Sequence, residues 1–222
     1  MFSATSTNLR ASLPVRPLAL TFVSTQLLLV RHGQSEWNAL GRWQGQADTS
    51  LSPLGRAQAT NAARAFSGVQ AVLASPLSRA LETAAIMAGV WGIAQVEMAA
   101  GLIERDCGEW TGLTVAEIDE RWPGDRAAWR TPPGFEPDDV VLARVHVQLA
   151  EIGRRYLGQR VVAVSHGGLM YVLSRALEGR EVPIPNLGAQ WIQIDGGMLA
   201  LGEAVDLLAD PAAQTVASEE QV

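Results

Sequence analysis

Gln26-Leu27-Leu28-Leu29-Val30-Arg31-His32-Gly33 is the stretch on which the reading of the fold turns. A short Leu-rich run breaks off in a polar Arg-His-Gly turn, which reads as a strand delivering its last side chains to a loop. The same pattern returns at Arg160 to Val164, which closes in Ser165-His166-Gly167-Gly168 and passes at once into a helical segment, Leu169 to Leu177. Two further strand-like runs cover Ala71 to Ala74 and Gln190 to Ile194. Helical segments lie between them. One opens near Pro53 and ends before Gly68. A second follows Ser75 and Pro76, read as N-cap and first helical residue, with Leu81, Ala84, Ala85 and Ala88 as its apolar stripe. A third runs from Asp138 to Tyr156 and places Val141, Val145, Leu149, Ile152 and Tyr156 on one face. Strands alternating with helices predict an α/β fold, a three-layer α/β/α sandwich with a mainly parallel sheet and helices on both faces. From 101 to 137 the chain is rich in Gly and Pro, and is expected to be an excursion over the active face.

The remaining sequence bounds what this domain can do. With 222 residues the chain can bury one substantial core. Hydrophobic residues make up 48% and charged residues 18%, and mean hydropathy is +0.10, so neither a disordered nor a strongly charged chain fits. Formal charge is −6, and all 17 basic residues are Arg. With an acidic surface and no basic run, no nucleic-acid partner is expected, and any anion site must be local. No apolar run is long enough to span a bilayer, so no membrane partner is expected either. The single cysteine, Cys107, excludes an intramolecular disulfide framework and a multi-Cys zinc site and suits a reducing, cytoplasmic setting. No cofactor and no metal cluster is expected. Residues 1–24 read as a flexible extension or a misplaced start, 25–205 as the folded domain and 206–222 as a solvated tail. A homodimer is left open.

Both histidines leave the C-terminal end of a strand, the edge at which open parallel sheets bind ligands, because helix N-termini gather there. Arg79, in the first turn of the helix after Ser75, sits unfavourably against the helix dipole unless an anion is bound nearby. Two histidines with Arg31 and Arg79 on one sheet edge suit a phosphoryl group: guanidinium forks match its oxygens, and a neutral imidazole can attack phosphorus. Glycine after each histidine lets the backbone approach the ligand closely.

Arg31-His32-Gly33-Gln34-Ser35-Glu36-Trp37-Asn38 resembles the signature of the histidine phosphatase superfamily, also called phosphoglycerate mutase-like, in its phosphatase branch. Similar blocks follow at Arg42-Trp43-Gln44-Gly45, Asp48, Leu51 to Gly55, Ser75 to Thr83, Leu102-Ile103-Glu104 with Gly108 to Gly112, and Ser165 to Gly168. The resemblance covers about residues 26 to 200. It implies a metal-independent phosphomonoesterase acting on a small phosphorylated metabolite, with His32 transiently phosphorylated and Glu104 giving a proton to the leaving alcohol. His166 completes the catalytic set. Arg31, Asn38, Gln44, Gly45, Arg79 and Gly167 would bind substrate. Asp106 and Glu109 compete with Glu104 for the acid role.

A cofactor-dependent phosphoglycerate mutase is the alternative within the superfamily, and a non-catalytic regulatory relative the alternative outside catalysis. In the mutases a tyrosine and a lysine follow the acid, where this chain has Cys107 and Val115, so the carboxylate-binding cation is missing. Gly108-Glu109-Trp110-Thr111-Gly112 is similar to the phosphatase branch. Gly134-Phe135-Glu136-Pro137 departs from that branch's Gly-Glu-Ser, so the substrate rim stays open. All the catalytic motif positions are intact, which disfavours the non-catalytic reading. His146 reads as structural or solvated, Cys107 as an unreactive thiol near the site, and Trp37, Trp43 and Trp110 as core or pocket walls.

Overall fold

The computed structural model describes residues 23–178 and 184–208. Six strands form one mixed sheet: β1 Thr25–Arg31, β2 Ala71–Ala74, β3 Val96–Met98, β4 Arg160–Ser165, β5 Gly188–Asp195 and β6 Met198–Asp206, in the order β3-β2-β4-β1-β5-β6. The first four in that order are parallel, whereas β5 pairs antiparallel with β1, and β6 with β5. Alternate side chains of the central strands enter two cores. On one face Leu27, Leu29, Val161 and Ala163 pack against α5 (Asp138–Arg155) and α6 (Gly167–Glu178). On the other Leu28, Val30, Val162 and Val164 pack against α2 (Pro53–Ala65) and α3 (Ser78–Trp91), while α1 (Glu36–Ala39) is a single turn after β1. This is the expected three-layer sandwich, and its central strands β1, β2 and β4 are buried on both sides, as parallel strands under crossover helices must be.

Register does the positioning. Arg31 lies beside Ser165 across the β1–β4 pair, and the ladder continues one step further through the His32 N–H to the Ser165 carbonyl at 3.0 Å. His32 and His166 therefore emerge at the same height on the same sheet edge. Between α3 and α5 the chain crosses that edge as anticipated, although it holds two 3₁₀ turns and a short helix, α4 (Val115–Arg121), closed by a Thr114–Glu117 capping box.

Four expectations shift. β3 and β6 were not foreseen: β3 has three residues, and the edge strand β6 alternates exposed and half-buried side chains after a Gly196-Gly197 turn with positive φ at both residues. α3 begins at Ser78 rather than at Pro76, because the Ser75 hydroxyl is taken up by His166 and Asp48 receives the Ser78 N–H at 2.7 Å. Ala85 is exposed; the buried stripe is Ala80, Thr83, Ala84, Met87 and Ala88. The expected tail boundary at 206 also moves, since Asp206 closes β6 and Leu207 and Leu208 are buried in the α2–α3 core. Of the extension expected over 1–24, only Val23 and Ser24 are described, and 209–222 lie outside the described residues.

Candidate active site

The His32 ring is buried, with Nδ1 2.6 Å from the Gly33 carbonyl and Nε2 3.2 Å from Nε of Arg79. Arginine only donates, so Nε2 accepts, and the ring proton resides on Nδ1 and goes to the carbonyl. Burial first, then the charges of Arg79 and Arg31, hold this imidazole well below its ordinary pKa of 6.5. The result is a neutral ring whose free lone pair is directed at a guanidinium. Arg79, fully buried, also donates to the carbonyls of Ala47 and Gly45 at 2.7 and 2.8 Å. Burial brings its pKa down to about 10, and that of Arg31 likewise. Part of the anion that Arg79's place in the first turn of α3 calls for comes from the chain itself: Asp48 binds the N–H and hydroxyl of Ser78.

His166 stands 5.2 Å from His32, ring centre to ring centre, and its Nε2 lies 2.6 Å from the Ser75 hydroxyl. Burial, again the first cause, and then Arg79 push its pKa well below 6.5. Arg31 donates to the Ile184 carbonyl at 2.6 Å, and the His32 carbonyl receives Nδ2 of Asn186 at 3.0 Å, so a segment far along the chain clamps the end of β1.

Glu104 meets these groups from the excursion. Its two carboxylate oxygens accept the N–H groups of Gly168 and Leu169, at 3.1 and 2.9 Å, in the first turn of α6. Burial nonetheless raises its pKa above 4.5, against the lowering effect of Arg79, those two N–H groups and Arg31. One arginine latches the loop that carries it. Arg144 of α5 forms a bidentate pair with Glu136, at 2.8 and 2.9 Å, and donates to the carbonyls of Gly101, Ile103 and Glu104.

A pocket opens over these groups. Arg31, His32, Glu104, Gly167 and Gly168 line its catalytic end, while Arg42, Trp43, Gln44, Gly45, Arg105, Cys107 and Phe135 form the rim. Gln44, Gly45 and Gly167 therefore line the pocket. Arg79 and His166 stand behind the lining and act on it through His32. Asn38 lies outside the lining: its Oδ1 accepts the Ser35 N–H in a capping box and Nδ2 of Asn186 at 3.4 Å. The glycines after the histidines make room for protein groups. A Cβ on Gly33 would sit 2.6 Å from the Gly55 carbonyl oxygen, one on Gly167 3.2 Å from the Arg31 guanidinium, and one on Gly168 3.0 Å from a Glu104 oxygen.

Asp106 and Glu109 do not line the pocket; Asp106 accepts the Gly108 N–H and Glu109 is exposed. Trp43 walls the pocket with Trp110 packed edge-on behind it, and Trp37 lies against Gly112. The Cys107 thiol is pushed up by burial and by Glu104 and Asp106, and His146 is exposed on α5. Sequence reasoning missed Arg105, Phe135, Arg144 and Asn186. Two of them carried a signal: Arg105 as the cation directly after Glu104, and Phe135 as part of the segment that departs from the phosphatase pattern at the substrate rim. Among the described residues no group of three or more His, Cys, Asp or Glu is placed to hold a metal ion, and no helix is long and apolar enough to cross a membrane.

Comparison with known proteins agrees with this geometry. A family profile described as the histidine phosphatase superfamily (branch 1) matches residues 27–200. A glucosyl-3-phosphoglycerate phosphatase of Mycolicibacterium vanbaalenii is 38% identical over 199 residues, covering 80% of this chain and 87% of that one. Phosphoserine phosphatase 1 of Hydrogenobacter thermophilus is 37% identical over 162 residues, covering 69% and 76%. Among solved structures, a mycobacterial glucosyl-3-phosphoglycerate phosphatase in complex with inorganic phosphate superposes with a TM-score of 0.70 at 32% identity, covering 83% of this chain and 99% of that one. With Arg31-His32-Gly33 at the pocket and His166 packed behind His32, the chain belongs to branch 1 of the histidine phosphatase superfamily.

Proposed function

We propose that this protein is a phosphomonoesterase that hydrolyses small phosphorylated metabolites through a phosphohistidine on His32. The observation that carries this reading is the neutral His32 imidazole, held by the Gly33 carbonyl so that its Nε2 lone pair faces Arg79. The substrate phosphoryl group displaces that contact and takes the guanidinium for its own oxygens. Nε2 then attacks phosphorus, the P–O ester bond breaks, and Glu104 passes its proton to the departing alkoxide. In the second half Glu104, now a carboxylate, accepts a proton from water as the water oxygen attacks phosphorus. The N–P bond breaks, inorganic phosphate leaves, and His32 is neutral again. The N–H groups of Gly168 and Leu169 suit Glu104 to both roles, because they steady the anion that burial disfavours.

Arg31 and Arg79 supply the positive field that compensates charge developing on the phosphoryl oxygens, so a divalent metal is not needed. The pocket is a small recess between strand ends and the excursion, which suits a metabolite rather than a macromolecule. Both named phosphatase relatives support the same reaction class. The position at which a mutase would place its lysine is Val115, packed here against an apolar cluster with Trp43 and Trp110, which favours hydrolysis over phosphoryl return. The one free, buried Cys107 is in keeping with a cytoplasmic setting.

Rapid quench with labelled substrate, in buffer containing EDTA, tests the reading. Base-stable, acid-labile label is expected on the wild type and none on His32→Ala. Label retained in that variant, or no label without added metal, would overturn it.

A further inference from the structure

β1 ends at Arg31, one residue before the nucleophile, so the main chain of His32 is held by more than strand pairing. On the β4 side its N–H still reaches the Ser165 carbonyl. On the other side the antiparallel β5 ladder stops at Ala189 opposite Val30, and a turn takes over. The Leu187 N–H donates to the Arg31 carbonyl at 3.1 Å, the Ile184 carbonyl accepts from the Arg31 guanidinium at 2.6 Å, and Nδ2 of the buried Asn186 donates to the His32 carbonyl at 3.0 Å. The same Nδ2 lies 3.4 Å from Oδ1 of Asn38 in α1. The Gly188 N–H closes the turn on the Pro185 carbonyl at 2.8 Å, and its third residue, the fully buried Leu187, has a φ of 60°, where glycine or asparagine is the rule. A leucine kept in that conformation beside a nucleophile is held there by its surroundings, and such strain gathers where geometry serves chemistry.

From this arrangement we infer that Asn186 is a positioning residue for phosphoryl transfer: its amide takes the place of the missing ladder bond and fixes where Nε2 of His32 stands. The His32 ring hangs from the main chain twice, through its own Cα and through Nδ1 on the Gly33 carbonyl, so it has no position independent of the backbone at 32 and 33. With its carbonyl released, that backbone is held on the β4 side only, and Nε2 at the far end of the ring drifts from the line of attack on phosphorus. An amide suits the task because one nitrogen carries two donors, enough for the His32 carbonyl and Asn38 together, whereas a carboxylate donates nothing. Asn186 lies outside the pocket lining and acts through His32. A displaced nucleophile slows transfer whatever group departs, which separates this role from that of Glu104. The inference rests on the phosphatase reading above.

The test uses two variants. Asn186→Ala leaves room for water at the His32 carbonyl, and Asn186→Asp keeps the shape while setting an acceptor against two acceptors. In single-turnover quench flow, both should slow the appearance of label on His32 by about 10- to 100-fold, as a nucleophile displaced by a fraction of an ångström requires. The loss should be the same with p-nitrophenyl phosphate and with glycerol phosphate, and inhibition by inorganic phosphate should change far less. A purely structural role would lower the melting temperature and leave the rate per folded molecule, measured well below the transition, at the wild-type value. That result, or a loss confined to glycerol phosphate, overturns the inference. Proton NMR repeats the comparison without turnover: the Nδ1–H resonance of His32, identified by its absence from His32→Ala, should shift or exchange faster with solvent in both variants, and an unmoved resonance overturns the inference as well. Failure of the wild type to hydrolyse any phosphomonoester would instead overturn the phosphatase reading, and the imidazole resonance would still decide the role of Asn186.

Discussion

His32 and Glu104 are displaced in opposite directions by the same cause, since burial disfavours whichever form is charged. The nucleophile works unprotonated and the acid works protonated. Activity should therefore rise with pH through a His32 value well below 6.5 and fall through a Glu104 value above 4.5. Glu104→Gln should remove the falling limb for alkyl phosphates and slow them by about 10² to 10⁴, while p-nitrophenyl phosphate, whose phenolate leaves unassisted, loses far less. Steady-state profiles on both substrates check this, and an unchanged substrate ratio would move the acid role elsewhere. Sequence alone went a long way here. Strand-end placement singled out Arg31, His32 and His166, and Arg79 stood out because its charge sits against a helix dipole. Choosing Glu104 over Asp106 and Glu109 needed the family resemblance, because adjacent carboxylates in one loop differ only in what they face. Asn38 illustrates the opposite limit: its place in the motif is plain, yet its side-chain oxygen is spent on Ser35 and Asn186.

At the scale of elements, α6 and the Glu104 loop form one unit, joined where the first N–H groups of the helix meet the carboxylate. Gly168→Ala would drive a Cβ to 3.0 Å from the Glu104 oxygen, and the carboxylate must move. Turnover of alkyl phosphates should fall by about tenfold or more with the fold retained, as a misplaced acid requires. Gly89, inside α3 with nothing within 4 Å of a Cβ, is the control: Gly89→Ala should stabilise the protein by about 0.5–1 kcal/mol and leave activity alone. Chemical denaturation with parallel assays separates the two. Elements with continuous apolar runs, β1 and β4, and α5 with its five-residue stripe, were readable from sequence. β3 and β6 were not, because an edge strand needs only half a hydrophobic pattern, and neither was the start of α3, which is set by Asp48 from 30 residues away.

Across the whole molecule the two depressed histidines govern how stability responds to acid. Their folded values lie well below 6.5, so below about pH 6.5 the unfolded chain binds more protons, and stability falls as pH drops. Glu104, displaced upward, pulls the other way but is one group against two. Melting temperatures should therefore decline on acidification from about pH 7 to 5, and His166→Asn should flatten that slope whatever it does to the height of the curve. An unaltered slope would place the acid sensitivity elsewhere. The sheet also divides labour. Nucleophile and arginine clamp rise from strand ends and a helix start sealed between two cores, whereas the rim is shared between the 42–45 segment and the excursion, the latter fastened chiefly through Arg144 and Asp138. Such a scaffold is modular in the evolutionary sense. New substrates can be acquired by exchanging the segment between Arg105 and Glu136 while the reaction beneath it is inherited intact, and a laboratory library confined to those residues should drift in preference far sooner than it loses turnover.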